Sequence, residues 1–204
     1  MIRIVSTNGT NYTTVLREVQ LLGYKPKMLK SVKDVPKTTH IILSGNDEPT
    51  FMLKGLKSQN LLPKLEKVVK HRNVLILVMG RCMQLLYEGI DGPKGWIPGT
   101  GWLSGHVVPF AYGCEPAKGA HAVEFVKDVC GASDGMYRFD MPFQVKDGYE
   151  GDLWGEARLS VPDPFPAAVH HRNIYGVQFN LLRSGVQGRE LLRGFLNRVP
   201  DSGD

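Results

Sequence analysis

Apolar and polar residues follow two spacing patterns along the first half of the chain. Compact, largely apolar runs are typical of buried strands, and they predict strands at 2–5, 27–29, 40–43 and 74–79. Segments with apolar residues at helical spacing lie between these runs, at 12–22 and 61–70. Strands that alternate with helices of this length favour a mainly parallel sheet with helices on both faces.

The second half of the chain has a different residue pattern. Glycine and proline crowd the interval 92–105, and short strand-like segments follow at 107–110, 122–126 and 136–139. This pattern predicts a smaller, partly antiparallel region. Further on, 167–179 is typical of two strands around a polar turn, and 190–199 of an amphipathic helix. We therefore expect one α/β domain over residues 1–200, with a short tail at 201–204.

The composition of the 204 residues argues against several classes of function. Apolar residues make up 42% and charged residues 22%, the formal net charge is +5, and no apolar stretch reaches the roughly 20 residues of a membrane span. Basic and aromatic residues are not interleaved as they are in nucleic-acid-binding modules. The three cysteines form no CxxC pair, which favours reduced thiols. We expect a cytoplasmic protein without a cofactor or a metal site, whose partners are neither nucleic acids nor membranes.

The apolar run at 74–79 breaks at Gly80-Arg81-Cys82 and resumes as the start of a helix. A buried strand, a sharp corner and a helix N-terminus form the nucleophile elbow of many hydrolases. There, backbone N–H groups and the helix dipole lower the pKa of a thiol and stabilise an oxyanion. Here Gly80 occupies the corner, and glycine relaxes the backbone while removing the reactive side chain. Cys82 has two interpretations, a thiol nucleophile displaced by two residues or a small side chain that fills buried space.

Several ordered segments carry a resemblance to a known family. They are the Asn-containing turn at 7–12, Ile-Leu-Ser-Gly at 42–45, Met-Gln-Leu-Leu at 83–86, Gly-Trp-Ile-Pro-Gly at 95–99, Gly-Val-Gln-Phe at 176–179 and the helix at 191–196. Over nearly its whole length the chain resembles class I glutamine amidotransferases, and in particular the glutaminase subunit of imidazole glycerol phosphate synthase. The resemblance implies a three-layer α/β/α flavodoxin-like sandwich. Its central sheet would be mainly parallel, with a small antiparallel extension.

The resemblance also implies chemistry for which this chain lacks the residues. In the family, an elbow thiolate attacks the side-chain amide of glutamine, a histidine acts as base, a glutamate orients the histidine, and ammonia leaves through a tunnel. The corresponding positions here are Gly80, Asn180 and Leu182. We therefore expect a pseudo-glutaminase without the catalytic triad. It would serve as a binding or scaffolding subunit beside a partner protein of the synthase type.

Two alternatives stay open at the level of sequence. The first is an active amidotransferase, hydrolase or transferase that uses the displaced Cys82 or a site completed by a partner. The second is an interaction protein whose pocket binds glutamine or another small amide without turnover. Saturable binding and ammonia release from glutamine separate the three functions.

Candidate site residues follow from the elbow and from the strand end that would face it. We expect a ligand pocket to be lined by Ser44, Gly45, Asn46, Arg81 and Gln84. Ser44 also carries a hydroxyl, although the sequence identifies no base beside it. Further candidates for a base or a metal ligand are His106, His121, His170 and His171, whose spacing is not that of a metal site.

Overall fold

The computed structural model describes residues 1–6, 12–30, 32–71, 73–92, 95–110, 117–158 and 164–200. The strands in these ranges are β1 (Ile2–Ser6), β2 (Lys27–Met28), β3 (His40–Ser44), β4 (Leu75–Met79), β5 (Gly89–Gly92), β6 (Gly95–Pro98), β7 (His106–Pro109), β8 (Ala117–Phe125), β9 (Gly135–Met141), β10 (Phe143–Lys146), β11 (Leu153–Ala157), β12 (Phe165–His171) and β13 (Ile174–Val177). The α-helices are α1 (Tyr12–Leu21), α2 (Pro49–Ser58), α3 (Leu62–His71) and α4 (Gly185–Asn197). Short 3₁₀ helices cover Val32–Lys37, Gly80–Leu86, Glu150–Asp152 and Leu181–Arg183. The predicted turn at 7–11, the tail at 201–204 and Cys114 lie outside the described residues.

Nine strands form one mixed sheet in the order β2–β1–β3–β4–β13–β12–β11–β8–β9. The four pairs from β2 to β13 are parallel, and the four pairs from β13 to β9 are antiparallel. The prediction of a mainly parallel sheet with a small antiparallel extension is therefore wrong. The chain turns back tightly at Arg172 and Asn173 between β12 and β13, and the strands beyond β12 continue the sheet by antiparallel pairing.

Helices lie on both faces of the parallel half of this sheet. Val15 and Val19 of α1 belong to the same apolar cluster as Leu191 and Phe195 of α4. Side chains of α2 and α3 belong to a second cluster, with residues of β3 and β4 that alternate between the two clusters. Every position of β3 and β4 is buried, as expected for central strands covered on both sides.

The approach of α4 to the segment before β9 depends on a glycine. A Cβ atom added at Gly194 would lie 1.8 Å from the carbonyl oxygen of Cys130. No side chain fits into that space without moving the backbone of one segment or the other. Because Leu191, Leu192, Phe195 and Leu196 are buried on the same helix, this contact fixes how α4 is seated on the sheet.

The glycine-rich region forms a second sheet in the order β10–β7–β5–β6. Its β5–β7 pair is parallel and its other pairs are antiparallel. The predicted smaller, partly antiparallel region is therefore right only for 107–110, which falls on β7, because 122–126 and 136–139 fall on β8 and β9 of the large sheet. Ile90, Val107 and Val145 of this sheet belong to the same cluster as α2 and α3. None of the helices in the described ranges is both long enough and apolar enough to cross a lipid bilayer.

The parallel half of the large sheet determines where a site can form. The carboxyl ends of β3, β4 and β13 are adjacent because these strands are neighbours and run in the same direction. Ser44 and Met79 are register partners there, and so are Val177 and Met79. Loops that follow parallel strands meet at this edge, which is where open α/β sheets bind their ligands.

Candidate functional site

Gly80 follows β4 directly and is the first residue of the 3₁₀ helix Gly80–Leu86. Its φ of +69° lies in the left-handed region, whereas Met79 before it is extended. A residue with a side chain is strained in that conformation, and nucleophile elbows place their nucleophile on such a strained turn. The backbone therefore keeps the corner of an elbow, and the residue at the corner contributes no side chain.

The space above Gly80 is occupied by the side chain of Asn46, which lies in the loop after β3. A Cβ atom added at Gly80 would lie 2.5 Å from Oδ1 of Asn46 and 3.5 Å from the carbonyl oxygen of Gly45. The N–H of Cys82 donates to that same carbonyl of Gly45 over 3.3 Å. The loop after β3 is thus held against the elbow, and the amide of Asn46 fills the place where a nucleophile would begin.

A cavity of about 200 Å³ lies at this edge of the sheet. The described residues that line it are Thr14, Ser44, Asn46, Met79, Gly80, Asn180, Leu182 and Arg183. The structure therefore brings the positions of Gly80, Asn180 and Leu182 together around one cavity. Among the described residues in its wall there is no cysteine, histidine, aspartate or glutamate.

The segment after β13 is fixed by a compact set of hydrogen bonds. The N–H of Asn180 donates to the carbonyl oxygen of Arg138 over 2.8 Å, and the Oγ of Ser184 donates to the carbonyl oxygen of Asn180 over 2.7 Å. The N–H of Arg138 donates in turn to the Oγ of Ser184 over 3.0 Å. Asn180 is half-buried, and Leu182 packs against the apolar cluster that contains α1 and α4. This segment therefore holds the amide of Asn180 and the aliphatic side chain of Leu182 at the wall of the cavity.

Cys82 lies outside the cavity. Its side chain is fully buried, and its Sγ lies 3.4 Å from Sδ of Met52 on α2. Burial raises the pKa of the Cys82 thiol far above its ordinary value, and the nearby charge of Asp47 raises it further. The thiol is therefore protonated and enclosed among apolar side chains.

The other residues predicted to line a ligand pocket divide between the cavity wall and the core. Ser44 and Asn46 line the cavity, and Gly45 supports the elbow through its carbonyl. Arg81 is turned toward Glu48, with Nη1 3.9 Å from Oε1. Gln84 is buried, and its amide nitrogen and oxygen have no hydrogen-bond partner among the described residues. Arg81 and Gln84 are absent from the described wall of the cavity.

The candidate histidines are dispersed, and none lines the cavity. His106 lies 3.7 Å from Asp147 on the second sheet, and the ring of His121 contacts the carbonyl of Lys118. His170 stacks on Tyr175, and Nδ1 of His171 lies 2.8 Å from Oδ1 of Asp152. In the part of the chain that the structure describes, no three His, Cys, Asp or Glu residues are grouped so that they could hold a metal ion.

A second cavity of about 300 Å³ adjoins the first and shares Asn46, Asn180 and Arg183 with it. Its other described lining residues are Lys118 and Gly119 on β8 and Arg138, Phe139 and Asp140 on β9. No pattern in the sequence connects Lys118, Arg138 or Arg183 with the site. Arg183 directly follows Leu182 and could have been found from its position. Lys118 and Arg138 reach the site only through the antiparallel strands, whose pairing the sequence did not predict.

Sequence comparison finds relatives that match nearly the whole chain. No family model matches the chain. The imidazole glycerol phosphate synthase subunit HisH of Haemophilus influenzae is 27% identical over 98% of this chain and 98% of its own length. The HisH subunits of Desulfitobacterium hafniense and Pyrobaculum aerophilum are 28% and 26% identical over 96% of this chain and over 93% and 97% of their own lengths.

Solved structures agree with this relationship at the level of fold. A crystal structure of a glutamine amidotransferase superposes with a TM-score of 0.75 at 18% identity, covering 96% of this chain and 97% of that chain. A chain of PurLQS from Thermotoga maritima superposes with a TM-score of 0.70 at 14% identity, with the same coverage. The solved structures show that this chain shares their α/β fold. The relatives in sequence named above are HisH subunits.

Proposed function

We propose that this protein is a pseudo-glutaminase, a glutamine amidotransferase-like subunit that does not hydrolyse glutamine. The observation that carries the proposal is the wall of the cavity at the elbow. Gly80, Asn180 and Leu182 stand at the three positions where the resemblance places a thiol, a base and an orienting acid. The described wall of this cavity contains no thiol, imidazole or carboxylate.

Without a nucleophile and a base, the rate of glutamine hydrolysis by the family's mechanism should be negligible. Removal of a nucleophile or a base from a triad typically costs a factor of about 10⁴ to 10⁶ in rate, and members that act as a unit are not additive. The amide of Asn180 has no basicity, and the side chain of Leu182 cannot orient or stabilise an imidazolium. The loss of the triad is therefore complete in this proposal.

The competing function is an enzyme that uses Cys82 in place of the missing nucleophile. A thiol attacks as its thiolate, and the raised pKa of Cys82 opposes thiolate formation. The contact between Sγ and Met52 also directs the thiol into the core and away from the cavity. A site completed by residues of a partner remains the other route to activity, and only an assay with the partner present tests it.

A role beside another protein completes the proposal. The relatives in sequence are named as subunits of a synthase, and this supports a partner protein of the synthase type. Glutamine or another small amide is a candidate ligand of the cavity, and the cytoplasm is the proposed location. The helix pairs on opposite faces of the parallel half support the three-layer arrangement.

Ammonia release from glutamine tests the proposal directly. The purified chain should release no more ammonia than buffer does, both alone and with proteins that co-purify from its native source. The Cys82→Ala variant serves as the matched control, because it removes the thiol that the competing enzyme function would use. Ammonia release that disappears in Cys82→Ala would establish the competing enzyme function instead.

A further inference from the structure

Three cationic side chains surround the two adjoining cavities. Lys118, Arg138 and Arg183 all line the second cavity, and Arg183 also lines the first. All three residues are exposed. None of them forms an ion pair with a carboxylate among the described residues, although arginines elsewhere in the chain do. The one carboxylate in the described wall is that of Asp140, which leaves an excess of positive charge around the cavities.

Hydrogen bonds hold the backbone of Arg138 against the segment that carries Arg183. The N–H and the carbonyl oxygen of Arg138 bond to Ser184 and Asn180, the residues on either side of the 3₁₀ helix that carries Arg183. Strand β9 and this helix therefore form one braced unit. Two guanidinium groups on a braced unit lose less freedom on binding than two groups on separate loops.

Apart from the carboxylate of Asp140, the rest of the described lining between the cations is neutral. Asn46 and Asn180 belong to both cavities, and Thr14 and Ser44 line the first. Amide N–H and hydroxyl groups donate hydrogen bonds to oxygen anions, and arginine pairs with carboxylate and phosphate in a bidentate manner. A neutral amide such as the side chain of glutamine gains less from these cations than a carboxylate of the same shape does.

We propose that these adjoining cavities bind a small molecule through a compact anionic group, a carboxylate or a phosphate. Arg138 and Arg183 are the principal contacts, Lys118 contributes long-range attraction, and the amides of Asn46 and Asn180 complete the site. The proposal rests on the proposed function, because the site uses the space that a glutaminase needs for glutamine. It replaces a reacting amide with a bound anion that is not turned over.

Titration calorimetry of the full chain with three probes tests the site. Inorganic phosphate and glutarate represent the two anionic groups, and glutaramide, in which both carboxylates are replaced by amides, is the neutral counterpart of glutarate. We expect saturable binding of phosphate, glutarate or both, and binding of glutaramide at least about tenfold weaker than that of glutarate, the factor for losing one charge-assisted hydrogen bond. The affinity for anions should fall as salt is added.

Variants locate the binding. Arg138→Gln and Arg183→Gln should each weaken anion binding by about tenfold. Each variant keeps the backbone groups that brace the unit, and Arg138→Lys should restore only part of the affinity because lysine does not bind in a bidentate manner. Arg189→Gln is the matched control, because Arg189 is an exposed arginine outside the described walls of both cavities, and it should leave the affinity unchanged.

Several results would overturn the anion site. They are the absence of saturable binding of both anions, equal affinity for glutarate and glutaramide, and an equal loss of affinity in Arg189→Gln. Loss of a co-purifying partner in Arg138→Gln, without any anion binding in the original chain, would assign the cations to a protein interface. Ammonia measured in the same samples distinguishes the two proposals, because its release contradicts the pseudo-glutaminase whether or not an anion binds.

Discussion

The core beneath the elbow and the cavity above it differ in how strictly their residues are constrained. Below Gly80, the strands β3 and β4 are buried at every position, and Cys82 is enclosed against Met52. Above Gly80, the described wall of the cavity carries amides, hydroxyls and an arginine but no cysteine, histidine or carboxylate. Close packing of the core stabilises the fold independently of any catalytic group. Packing can therefore maintain the corner of an elbow whether or not a nucleophile stands on it.

The packing of α4 against the segment before β9 belongs to the core, and we expect the largest effect on stability there. Gly194→Ala should lower the free energy of unfolding by about 3 kcal/mol or more, because its Cβ atom overlaps the carbonyl of Cys130. Alanine ordinarily stabilises a helix interior relative to glycine. A loss of stability in Gly194→Ala would therefore indicate the close contact and not helix propensity. Urea denaturation measures the change. The exposed Val186→Ala on the same helix should have little effect, and a stabilising Gly194→Ala would contradict the proposed contact.

The corner itself should give a smaller but resolvable effect. Gly80→Ala should cost about 1 to 2 kcal/mol, because a Cβ atom is strained at this φ and meets Oδ1 of Asn46. Gly101→Ala is the matched control, because Gly101 has a φ of +63° with no atom within 4 Å of the added Cβ. Denaturation of both variants, each also in an Asn46→Gly background, separates backbone strain from the contact. If Asn46→Gly relieves both variants equally, Asn46 does not occupy the place of the nucleophile.

Cys82 belongs to the core in this comparison, and its variant should behave accordingly. Cys82→Ala should lower the free energy of unfolding by about 1 kcal/mol, because it removes one buried, well-packed atom. It should leave the binding of small molecules at the cavity unchanged. Denaturation and calorimetry of the same preparation measure the two properties. A change in ligand affinity without a change in stability would place Cys82 in the site.

Two histidines outside the cavity predict a modest pH dependence of stability. Burial lowers the pKa of His40 and of His170 below the ordinary value of 6.5. Between the lowered pKa values and 6.5 the unfolded chain binds more protons than the folded protein, so stability should fall as the pH falls through that interval. Urea midpoints measured above and below pH 6.5 test this. Replacement of both histidines by glutamine should flatten the profile, and an unchanged profile would show that other groups control it.

The sequence predicted the parallel half of the fold and the corner of the site, because both rest on local patterns. The buried runs and the Gly80 turn are visible in a few consecutive residues. Helix α2 was not predicted, although Pro49 at its start and Met52, Leu53 and Leu56 at helical spacing indicate it. The extent of antiparallel pairing was not predictable in this way, because β8 pairs with β9 and with the distant β11.

The same limit explains which site residues were found. Ser44 and Asn46 follow a strand that the pattern predicts, so their place at the cavity follows from the topology of a parallel sheet. Gln84 was expected in the pocket and is buried, since the segment after Gly80 is a 3₁₀ helix packed under the second sheet. Lys118 and Arg138 join the site through strand pairing between residues far apart in sequence. Side-chain direction in a short helix and pairing at long range both depend on the assembled tertiary structure.

The proposed loss of the nucleophile can be measured most directly by the mass of the intact protein. The chain is incubated with a glutamine analogue that carries an electrophilic carbon in place of the side-chain amide, and any adduct is mapped by peptide digestion. A pseudo-glutaminase with a vacant elbow should show no adduct that excess glutamine prevents. A single adduct on Cys82, formed at neutral pH and prevented by glutamine, would contradict it.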